Sequence, residues 1–339
     1  MNRNGSIWRK TLSGSSFRRP AADAARLTAG GIRRMAEENK CIVFNIAYGS
    51  YVDGPGSRTT VFLKGCPLRC LWCCNSEGQL TAPEIKLEAE LCTACGKCYE
   101  ICPEDAIAFE DGKIVSIDRA KCTMCGKCVK ACYMDAIDTF GKEYTVDEIM
   151  EIILRDKDYF DATGGGVTIG GGEPTMHWRF TDALIDRLHA EGIHVALDTC
   201  GYTVNEQARA LLSKADLLLF DVKGIDPEEH RRCTGVSNEL ILKNLRELDA
   251  EGKPIIVRMP IIPGCNDSDE TVAAEAELLA GLKSLIRIDM IPYHDFGKIK
   301  FGQRGVAYPL EGTARLTDER VEEIKAILES RGLTVQVGG

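Results

Sequence analysis

The chain has 339 residues, more than a typical single domain, although one α/β barrel could use nearly all of them. Apolar residues make up 44% of the chain, enough for a sizeable core, and no apolar run is long enough to span a bilayer, so we expect no membrane partner. The formal net charge of −9 argues against a nucleic-acid partner, because general nucleic-acid-binding proteins present a basic surface.

The chain contains sixteen cysteines, a number that would indicate a disulfide scaffold in a secreted protein. Such scaffolds are small and carry a signal peptide. Here eleven of the sixteen fall into cluster-binding spacings, so we predict reduced thiols and a cytoplasmic protein that works without oxygen. Most of the other five are predicted to be small buried hydrophobic side chains. These five are Cys41, Cys74, Cys200, Cys233 and Cys265.

Residues 1–34 contain eight Arg or Lys residues and a single acid, Asp23. This composition fits a targeting peptide, an anion-binding arm or a disordered extension. Because the apolar segment typical of signal peptides is missing, we favour a disordered extension. Met35 directly precedes the ordered-looking sequence and is an alternative start of the protein.

The first strand-like sequence begins at Cys41. Residues 53–56, Asp-Gly-Pro-Gly, predict a turn, because glycine allows unusual dihedral angles and proline fixes φ. Residues 59–64 are mostly β-branched or apolar and predict a strand. This strand leads directly into a short loop with three cysteines.

The loop contains Cys66, Cys70 and Cys73 at the spacing C-x3-C-x2-C. A four-iron cluster takes four thiolate ligands, and this loop supplies three of them. One iron is then left without a protein ligand, which is the arrangement needed if that iron binds a substrate. Taken alone, the spacing would also fit a zinc knuckle or a site completed by a distant fourth cysteine.

A separate module with two sets of four cysteines follows. The first set has the spacing C-x2-C-x2-C-x3-C-P, and the second repeats it thirty residues later with Tyr133 in place of the proline. In bacterial two-cluster ferredoxins the fourth cysteine of each set binds the cluster of the other set. This rule predicts two four-iron clusters and makes zinc a weak alternative. The predicted ligands are Cys92, Cys95, Cys98 and Cys132 for one cluster, and Cys122, Cys125, Cys128 and Cys102 for the other.

After Lys142 the sequence alternates between strands and helices. Helical periodicity covers residues 146–154 and 181–191. Six strands, the first at residues 60–64, alternate with such helices, which predicts a parallel sheet that is either open or curled into a barrel. The other five predicted strands are residues 166–172, 194–198, 216–221, 255–261 and 285–291.

Each predicted strand ends in an unusual polar or glycine motif. In barrels of this type the site is built at the carboxyl ends of the strands, so we expect these groups to converge on one pocket. Any one motif alone would be ordinary, because a Gly-Gly pair is a turn and a lone histidine is usually packed or on the surface. In chain order the motifs are Gly65-Cys66, Gly171-Gly172-Glu173-Pro174, Asp198-Thr199, Asp221-Val222-Lys223, Arg258 and Tyr293-His294.

The three-cysteine loop, with an aromatic residue before its last thiol, and the GGEP motif together resemble the radical S-adenosylmethionine (SAM) superfamily. More narrowly, DGPGSRTTVFLKGCPLRCLWCCNSE, LDTCGY, DVKGIDPEEHRRCTG and RMPIIPG resemble the activating enzymes of glycyl radical enzymes. The likeness covers roughly residues 40–300. Three positions depart from the usual pattern: Ser76 replaces a Pro of the family, Gly170 replaces a Ser, and Tyr133 replaces the ferredoxin Pro. These departures bear on the subfamily and on the reduction potential of the clusters, and they leave every thiol in place.

The resemblance implies a partial (β/α)6 radical SAM barrel with an inserted ferredoxin-like domain, and three four-iron clusters in all. One electron from the cluster at the three-cysteine loop would cleave SAM into methionine and a 5′-deoxyadenosyl radical. In the family that radical takes a hydrogen atom from a backbone glycine of a partner enzyme. The predicted division of the chain is the extension at 1–34, the first strand and cluster loop at 35–80, the insert at 81–140 and the rest of the barrel at 141–339.

The resemblance also implies roles for the motifs at the strand ends. Backbone groups of Gly171, Gly172 and Glu173 would hold the amino end of SAM, since glycine permits a close approach. Lys223, which we also count as catalytic, and Arg258 would hold its carboxylate. The other cofactor-binding candidates are Trp72 near the adenine, Asn75, His294, and the group Asp198, Thr199 and Asp221, which matches positions that contact the cofactor or a monovalent cation.

The insert is similar to that of the longer activating enzymes, which serve choline trimethylamine-lyase, diol dehydratases and arylacetate decarboxylases. We therefore expect a glycyl radical enzyme of one of these types as the partner, and flavodoxin or ferredoxin as the electron donor. A structural or docking role for the insert is the alternative to electron transfer. Two other functions stay open: a radical enzyme acting on a small molecule, and an electron carrier with a degenerate barrel. The DGPG, DVK and RMPIIPG segments count against the first, and the intact cysteine loop and GGEP against the second.

Overall fold

The computed structural model describes residues 39–111 and 113–338. The predicted extension at residues 1–34 and the alternative start at Met35 lie outside these residues. None of the helices described is both long and apolar enough to cross a membrane.

Thirteen strands are present in the described residues. They are β1 Lys40–Ser50, β2 Arg58–Leu63, β3 Glu84–Leu87, β4 Ile107–Glu110, β5 Lys113–Ile117, β6 Ile137–Phe140, β7 Lys142–Thr145, β8 Gly166–Gly171, β9 His194–Thr199, β10 Leu217–Asp221, β11 Ile255–Ile261, β12 Leu285–Pro292 and β13 Val335–Val337.

Eleven α-helices accompany them in the same residues. They are α1 Lys97–Glu100, α2 Lys127–Ala131, α3 Val146–Ile153, α4 Lys157–Thr163, α5 Trp178–Ala190, α6 Glu206–Lys214, α7 Pro227–Thr234, α8 Glu239–Ala250, α9 Asp269–Ala280, α10 Gly297–Gln303 and α11 Asp318–Glu329.

Nine strands form the main sheet, in the order β13-β12-β11-β10-β9-β8-β2-β1-β7. The run from β2 to β13 is parallel, with helices in the connections, as the alternating pattern predicts. The strands β1 and β7 add an antiparallel edge. The predicted α/β architecture, a parallel sheet with helical connections, is therefore confirmed, and the short strands β7 and β13 are additions to the six predicted strands.

The two faces of the parallel strands pack differently. Alternate residues of β9, β10 and β11 join a small inner cluster that includes Ala196, Leu219 and Ile256, while the residues between them join the large core under the helices. Because successive side chains point to opposite faces of a strand, the residues two positions further on share the inner face. These are Asp198, Asp221 and Arg258. The inner face thus changes from apolar to charged toward the carboxyl ends.

One strand-end prediction needs correction. Arg258 is the fourth of the seven residues of β11, pairing with Asp221 on β10 and Asp289 on β12. The strand continues to Ile261 because all seven of its residues are buried and apolar neighbours follow the arginine. Arg258 consequently projects from within β11, level with Asp221 at the end of β10.

The insert has its own small sheets and core. The strands β3 and β6 form an antiparallel ribbon at its base, and β4 and β5 form a second antiparallel pair. The helices α1 and α2, which carry cysteines of the two sets, contact each other. The buried residues of its hydrophobic core cluster are Ile85, Cys98, Ile107, Ile114 and Ile137, with most of the other predicted cluster cysteines packed against them.

Candidate active site and cluster cavities

The three-cysteine loop is held by backbone hydrogen bonds to distant segments. The Arg69 N–H donates to the Thr234 carbonyl at 2.6 Å, and the Leu71 N–H donates to the Cys233 carbonyl at 3.0 Å. At the start of the loop, the Gly65 N–H donates to the Gly78 carbonyl at 2.7 Å. The end of α7 therefore supports the middle of the loop. The start of the loop at Gly65 is held by the segment that follows the loop, at Gly78.

The GGEP turn lies directly against this loop. The Gly172 N–H donates to the Leu63 carbonyl and the Glu173 N–H to the Gly65 carbonyl, both at 2.7 Å. A Cβ atom on Gly172 would lie 2.1 Å from the Gly65 oxygen, so only glycine permits this approach. Gly171 has φ +98°, a conformation that also favours glycine.

A single cavity of about 980 Å³, including its open mouth, lies at the carboxyl ends of the strands. Most of the predicted site residues line it, together with apolar side chains such as Leu68 and Ile262. The predicted residues in its wall are Cys66, Cys70, Trp72, Cys73, Asn75, Gly171, Gly172, Asp198, Asp221, Lys223, Arg258 and His294.

Two predicted residues, Glu173 and Thr199, lie behind the cavity wall. Both are 1% exposed. The Glu173 carboxylate accepts hydrogen bonds from the Thr199 hydroxyl at 2.8 Å, from the Cys200 N–H at 2.8 Å and from the Thr175 hydroxyl at 2.8 Å. The Glu173 side chain thus fixes the loop after β9, and the hydroxyl of Thr199 is occupied by that contact.

Arg258 is engaged in ion pairs within the chain. Its Nη1 donates to Asp198 Oδ2 and its Nη2 to Asp53 Oδ1, both at 3.1 Å, and Nη2 also donates to the Val52 carbonyl at 2.7 Å. Burial opposes its charge, but the surrounding carboxylates of Asp198, Asp53 and Asp221 raise the pKa of Arg258 above its usual value. The guanidinium is a fixed cation at the floor of the cavity, and only its Nε lacks a partner.

Sequence reasoning missed Asp53 as a site residue. It belongs to the turn at residues 53–56, and its Oδ2 accepts from the Ser50 hydroxyl at 2.7 Å and the Thr60 hydroxyl at 2.8 Å. Burial opposes ionisation, but Arg258 and these hydroxyls hold the pKa of Asp53 below its usual value. In the sequence, Asp53 is an acid before a Gly-Pro-Gly turn, and acids are common in turns for local reasons. Its role in the site became visible only through its contact with Arg258.

The other charged groups in the wall also act as pairs. Lys223 forms an ion pair with Asp221. Burial disfavours its charge, but Asp221 and nearby cysteines raise the pKa of Lys223, so it stays protonated. For Asp198, burial is the main influence and Asp221 and Asp53 add to it, so its pKa is raised to about 7 although Arg258 acts in the opposite direction.

The polar groups of this cavity fit a zwitterionic ligand such as SAM. The Arg258 Nε and the His294 Nδ1 are buried without hydrogen-bond partners. Buried polar atoms are normally paired, so both atoms suit a polar ligand bound beside them. The His294 ring stacks on Phe296 with centroids 4.4 Å apart, which holds the imidazole in the wall.

The insert contains two smaller cavities, each lined by four cysteines. Cavity I, of about 330 Å³ including its open mouth, is lined by three cysteines of the first set and the last of the second set. Cavity II, of about 370 Å³ on the same measure, is lined by the complementary four. Four thiols around a space rather than at a point suit a four-iron cube. The cysteines are Cys92, Cys95, Cys98 and Cys132 in cavity I, and Cys102, Cys122, Cys125 and Cys128 in cavity II.

Comparisons with known proteins agree with this arrangement. The description "Radical SAM superfamily" matches residues 119–276, and "4Fe-4S dicluster domain" matches residues 91–145. The chain is 38% identical over 305 residues to the choline trimethylamine-lyase activating enzyme of Oleidesulfovibrio alaskensis, covering 88% of this chain and 98% of that relative. It is 40% identical over 301 residues to the trans-4-hydroxy-L-proline dehydratase activating enzyme of Clostridioides difficile, covering 88% and 99%. The chain belongs to the radical SAM activating enzymes of glycyl radical enzymes.

A third relative, the 4-hydroxyphenylacetate decarboxylase activating enzyme of Clostridium scatologenes, is 35% identical over 308 residues and covers 89% of this chain and 98% of its own. An activating enzyme of this family uses an electron from its iron–sulfur cluster to cleave SAM, and the radical produced takes a hydrogen atom from a glycine of its partner. The small-molecule and electron-carrier alternatives are not favoured.

The five cysteines outside the cluster spacings have different surroundings in this activating enzyme. Cys41 and Cys200 are buried, in line with the prediction, whereas Cys74 is exposed in the wall of the active-site cavity. Cys233 is buried, as predicted, but it forms a disulfide with Cys265, with Cα atoms 6.4 Å apart, so the prediction of reduced thiols is wrong for this pair. The pairing arises because the end of α7 and the loop after β11 follow neighbouring strands, although 32 residues separate them.

Proposed function

We propose that the protein generates the radical on a glycyl radical enzyme of the choline trimethylamine-lyase, dehydratase or arylacetate decarboxylase type. The names of the relatives support this range of partners. We further propose three four-iron clusters, one at the barrel loop and two in the insert. The observation that carries the proposal is the single cavity in which three cysteines meet two cations and two unpartnered polar atoms.

Within this cavity, Cys66, Cys70 and Cys73 would hold the barrel cluster and leave one iron for the amino and carboxylate groups of SAM. Lys223 and the free Nε of Arg258 would attract the carboxylate, because both groups remain charged when buried beside acids. The apolar wall around Trp72 would exclude water from the reacting centre.

The remaining groups would orient the cofactor. Backbone atoms of Gly171 and Gly172 would receive the amino end, and Asn75 and His294 would contact the rest. A monovalent cation would bind between Asp198 and Asp221, since hard cations prefer oxygen ligands. The hydroxyl of Thr199 already donates to Glu173, so Thr199 would contribute through its backbone.

For the reductant, we propose that flavodoxin or ferredoxin delivers electrons to the insert in a reducing, cytoplasmic setting. We also propose that residues 35–80 and 141–339 act as the catalytic barrel and residues 81–140 as the electron-carrying insert. The two four-cysteine cavities support this division.

The test is direct formation of the glycyl radical. Anaerobically reconstituted protein is mixed with SAM, a reductant and one representative of each partner class, and the organic radical is measured by EPR spectroscopy. We expect a radical signal on one partner, with one methionine released per radical. Cys70→Ala protein is the matched control and should give none. Cleavage of SAM without a radical on any of the three partner classes would contradict the proposed partner.

A further inference from the structure

A buried group of charges joins the insert to the barrel beside the cluster loop. Lys64, which follows β2 and precedes the loop, is fully buried and donates from Nζ to Glu84 Oε2 at 3.0 Å. Arg304, after α10, is 6% exposed and donates from Nε to Glu84 Oε1 at 3.1 Å. The buried carboxylate of Glu84, at the start of β3, therefore pairs with one cation that precedes the insert in the sequence and one that follows it.

The insert supplies a third cation, Arg119. Its Nε donates to the Arg304 carbonyl at 2.8 Å, its Nη2 donates to the Ile85 carbonyl at 3.0 Å, and its Nη1 lies 3.5 Å from Glu84 Oε1. Three residues later comes Cys122, the first cysteine of the second set, which lines cavity II. Because a planar guanidinium donates in fixed directions, these contacts hold the chain leading to Cys122 against the barrel.

The β3–β6 ribbon shows which of its ends faces the barrel. Glu84 pairs with Phe140 at one end, and Leu87 pairs with Ile137 at the other. Since Glu84 is the residue bonded to Lys64, the Glu84 end is the barrel end.

The two insert cavities touch the ribbon at different heights. Cavity II includes Ile85, one residue from the barrel end. Cavity I includes Ala136, whose carbonyl accepts from the Glu88 N–H at 2.8 Å, beyond the far end. Ile85 and Glu88 are three residues apart, which corresponds to roughly 10 Å at about 3.3 Å per residue. Both cavities reach solvent, cavity I at Tyr133, which is 63% exposed, and cavity II at Cys125, so it is their distance from the barrel that distinguishes them.

We infer that cavity II is the insert site nearer to the barrel cluster, and that Arg119 is the positioning residue that holds it there. One electron from the external donor would thus enter at cavity I, pass to cavity II and continue to the barrel cluster. The inference rests on the proposed function, because it requires a cluster in each insert cavity.

Arg119 has an electrostatic effect as well as a structural one. Burial and the neighbouring Arg304 lower the pKa of Arg119, while Glu84 and Cys122 act in the opposite direction, so the guanidinium lies close to a predicted cluster ligand. A nearby positive charge stabilises the more negative, reduced form of a cluster and raises its reduction potential. Loss of Arg119 should therefore affect both the distance between clusters and the potential of the cluster in cavity II.

The order of the clusters is tested by magnetic coupling in the reduced full-length protein. The readout is microwave-power saturation of the EPR signal of the SAM-bound barrel cluster, which relaxes faster when another paramagnetic cluster is close. Replacing Cys122, Cys125 and Cys128 by Ala should abolish the enhanced relaxation. Replacing Cys92, Cys95 and Cys98 by Ala should leave it in place. Equal effects, or the reverse order, would overturn the inference.

Single variants that leave all ligands in place provide a second test, in case a triple variant unfolds the insert. Arg119→Ala should weaken the coupling and shift the potential of the cavity II cluster to a more negative value. Arg119→Lys keeps the charge but lacks the planar guanidinium that reaches both carbonyls, so the potential should be that of the unaltered protein while the coupling stays weak. Lys121→Ala, which removes an exposed cation two residues away, is the matched control. Unchanged coupling in Arg119→Ala, or the same change in Lys121→Ala, would overturn the role of Arg119.

Iron analysis separates the two levels of the proposal. Protein with about twelve irons, at four per cluster, and no difference between the two triple variants would contradict only the cluster order. Protein with about four irons, all at the barrel loop, would contradict the proposed function of the insert and the inference with it.

Discussion

The barrel loop and the insert both present cysteine thiols to a cavity, but in different numbers and surroundings. The barrel cavity has three cysteines, and its other wall residues include the charged groups of Asp198, Asp221, Lys223 and Arg258. Each insert cavity has four cysteines and largely apolar remaining walls. With three thiols, the barrel site would leave one iron of its cluster free for a substrate, which suits binding. With four thiols each, the insert sites would leave none free, which suits electron transfer.

The two regions also differ in what maintains their shape. The barrel loop depends on hydrogen bonds to segments far away in sequence, such as that from Arg69 to Thr234. The insert repeats a local conformation: Ala94 and Met124, each two residues after the first cysteine of its set, both have positive φ, at 62° and 57°. Left-handed conformations are costly outside glycine, so their recurrence at matching positions shows that both halves use the same local turn.

The largest expected effect distinguishes the two kinds of cluster. Replacing Cys66, Cys70 and Cys73 by Ala should abolish SAM cleavage with every reductant, because no iron would be left to bind the substrate. Replacing Cys92 and Cys122 by Ala should abolish cleavage driven by flavodoxin or ferredoxin and retain part of that driven by a small chemical reductant. The measurement is methionine released under anaerobic conditions.

Two outcomes would contradict this comparison. Equal loss of cleavage with both reductants in the insert variant, with the barrel cluster intact, would favour a structural role for the insert. Stoichiometric zinc with little iron in freshly purified anaerobic protein would contradict cluster binding in both regions.

A smaller effect is expected from the cations of the barrel cavity. Lys223→Ala or Arg258→Ala should weaken SAM binding about tenfold to a hundredfold, because a charge-assisted contact contributes about 1.5–3 kcal/mol. Iron content should not change. Binding is measured by equilibrium titration of the reconstituted protein. Lys243→Ala, which removes an exposed lysine on the outer face of α8, is the matched control; unchanged affinity in both test variants would mean that neither cation contacts SAM.

The close backbone approach between the GGEP turn and the cluster loop is tested by replacing Gly172. Gly172→Ala should force the GGEP turn away from the cluster loop, costing about 1–3 kcal/mol as overpacking does, and lower the iron content of the barrel site. Gly302→Ala, in α10 with no atom within 4 Å of the added methyl group, should be neutral or slightly stabilising. Thermal unfolding and iron analysis of both variants measure the difference. Equal behaviour would show that the turn can shift without loss.

The smallest effect concerns the scaffold that both regions share. Glu275 on α9 is fully buried and both its carboxyl oxygens lack partners. Burial raises the pKa of Glu275 well above its usual 4.5, so the folded protein binds this proton more tightly than the unfolded chain. Its contribution is therefore most favourable at acidic pH, and stability is lost as the pH rises above the unfolded value toward the raised folded one.

Glu275→Leu should consequently increase the free energy of unfolding by about 1–3 kcal/mol, the cost of an unsatisfied buried polar group. The gain should be larger at mildly alkaline than at mildly acidic pH. The thermal midpoint under anaerobic conditions at both pH values measures it, with Glu277→Leu on the same helix as the control. A gain that does not depend on pH would mean that Glu275 is not the titrating group.

Local patterns in the sequence determined a large part of this protein. The cysteine spacings predicted the cluster cysteines that line each of the three cavities. Three cysteines of each group lie in one short loop, whose length limits the distances between them, and the fourth cysteine of each insert group followed from the ferredoxin pattern. The apolar runs predicted the parallel strands, with bounds that differ by only a few residues, because strands buried on both faces must be apolar. The polar motifs at the strand ends likewise predicted nine of the twenty residues that line the cavity at the carboxyl ends of the strands.

Only the tertiary structure decided which polar groups meet. Arg258 pairs with Asp53 across 205 residues, and its hydrogen bonds leave only one nitrogen for a ligand. Three other contacts also join residues far apart in the chain: the hydrogen bond from Thr199 to Glu173, the disulfide between Cys233 and Cys265, and the ion pair of Arg119 with Glu84. Such pairs depend on how the sheet brings separate strand ends together, and a sequence pattern of period two or 3.6 carries no information on contacts between segments that are far apart in the chain.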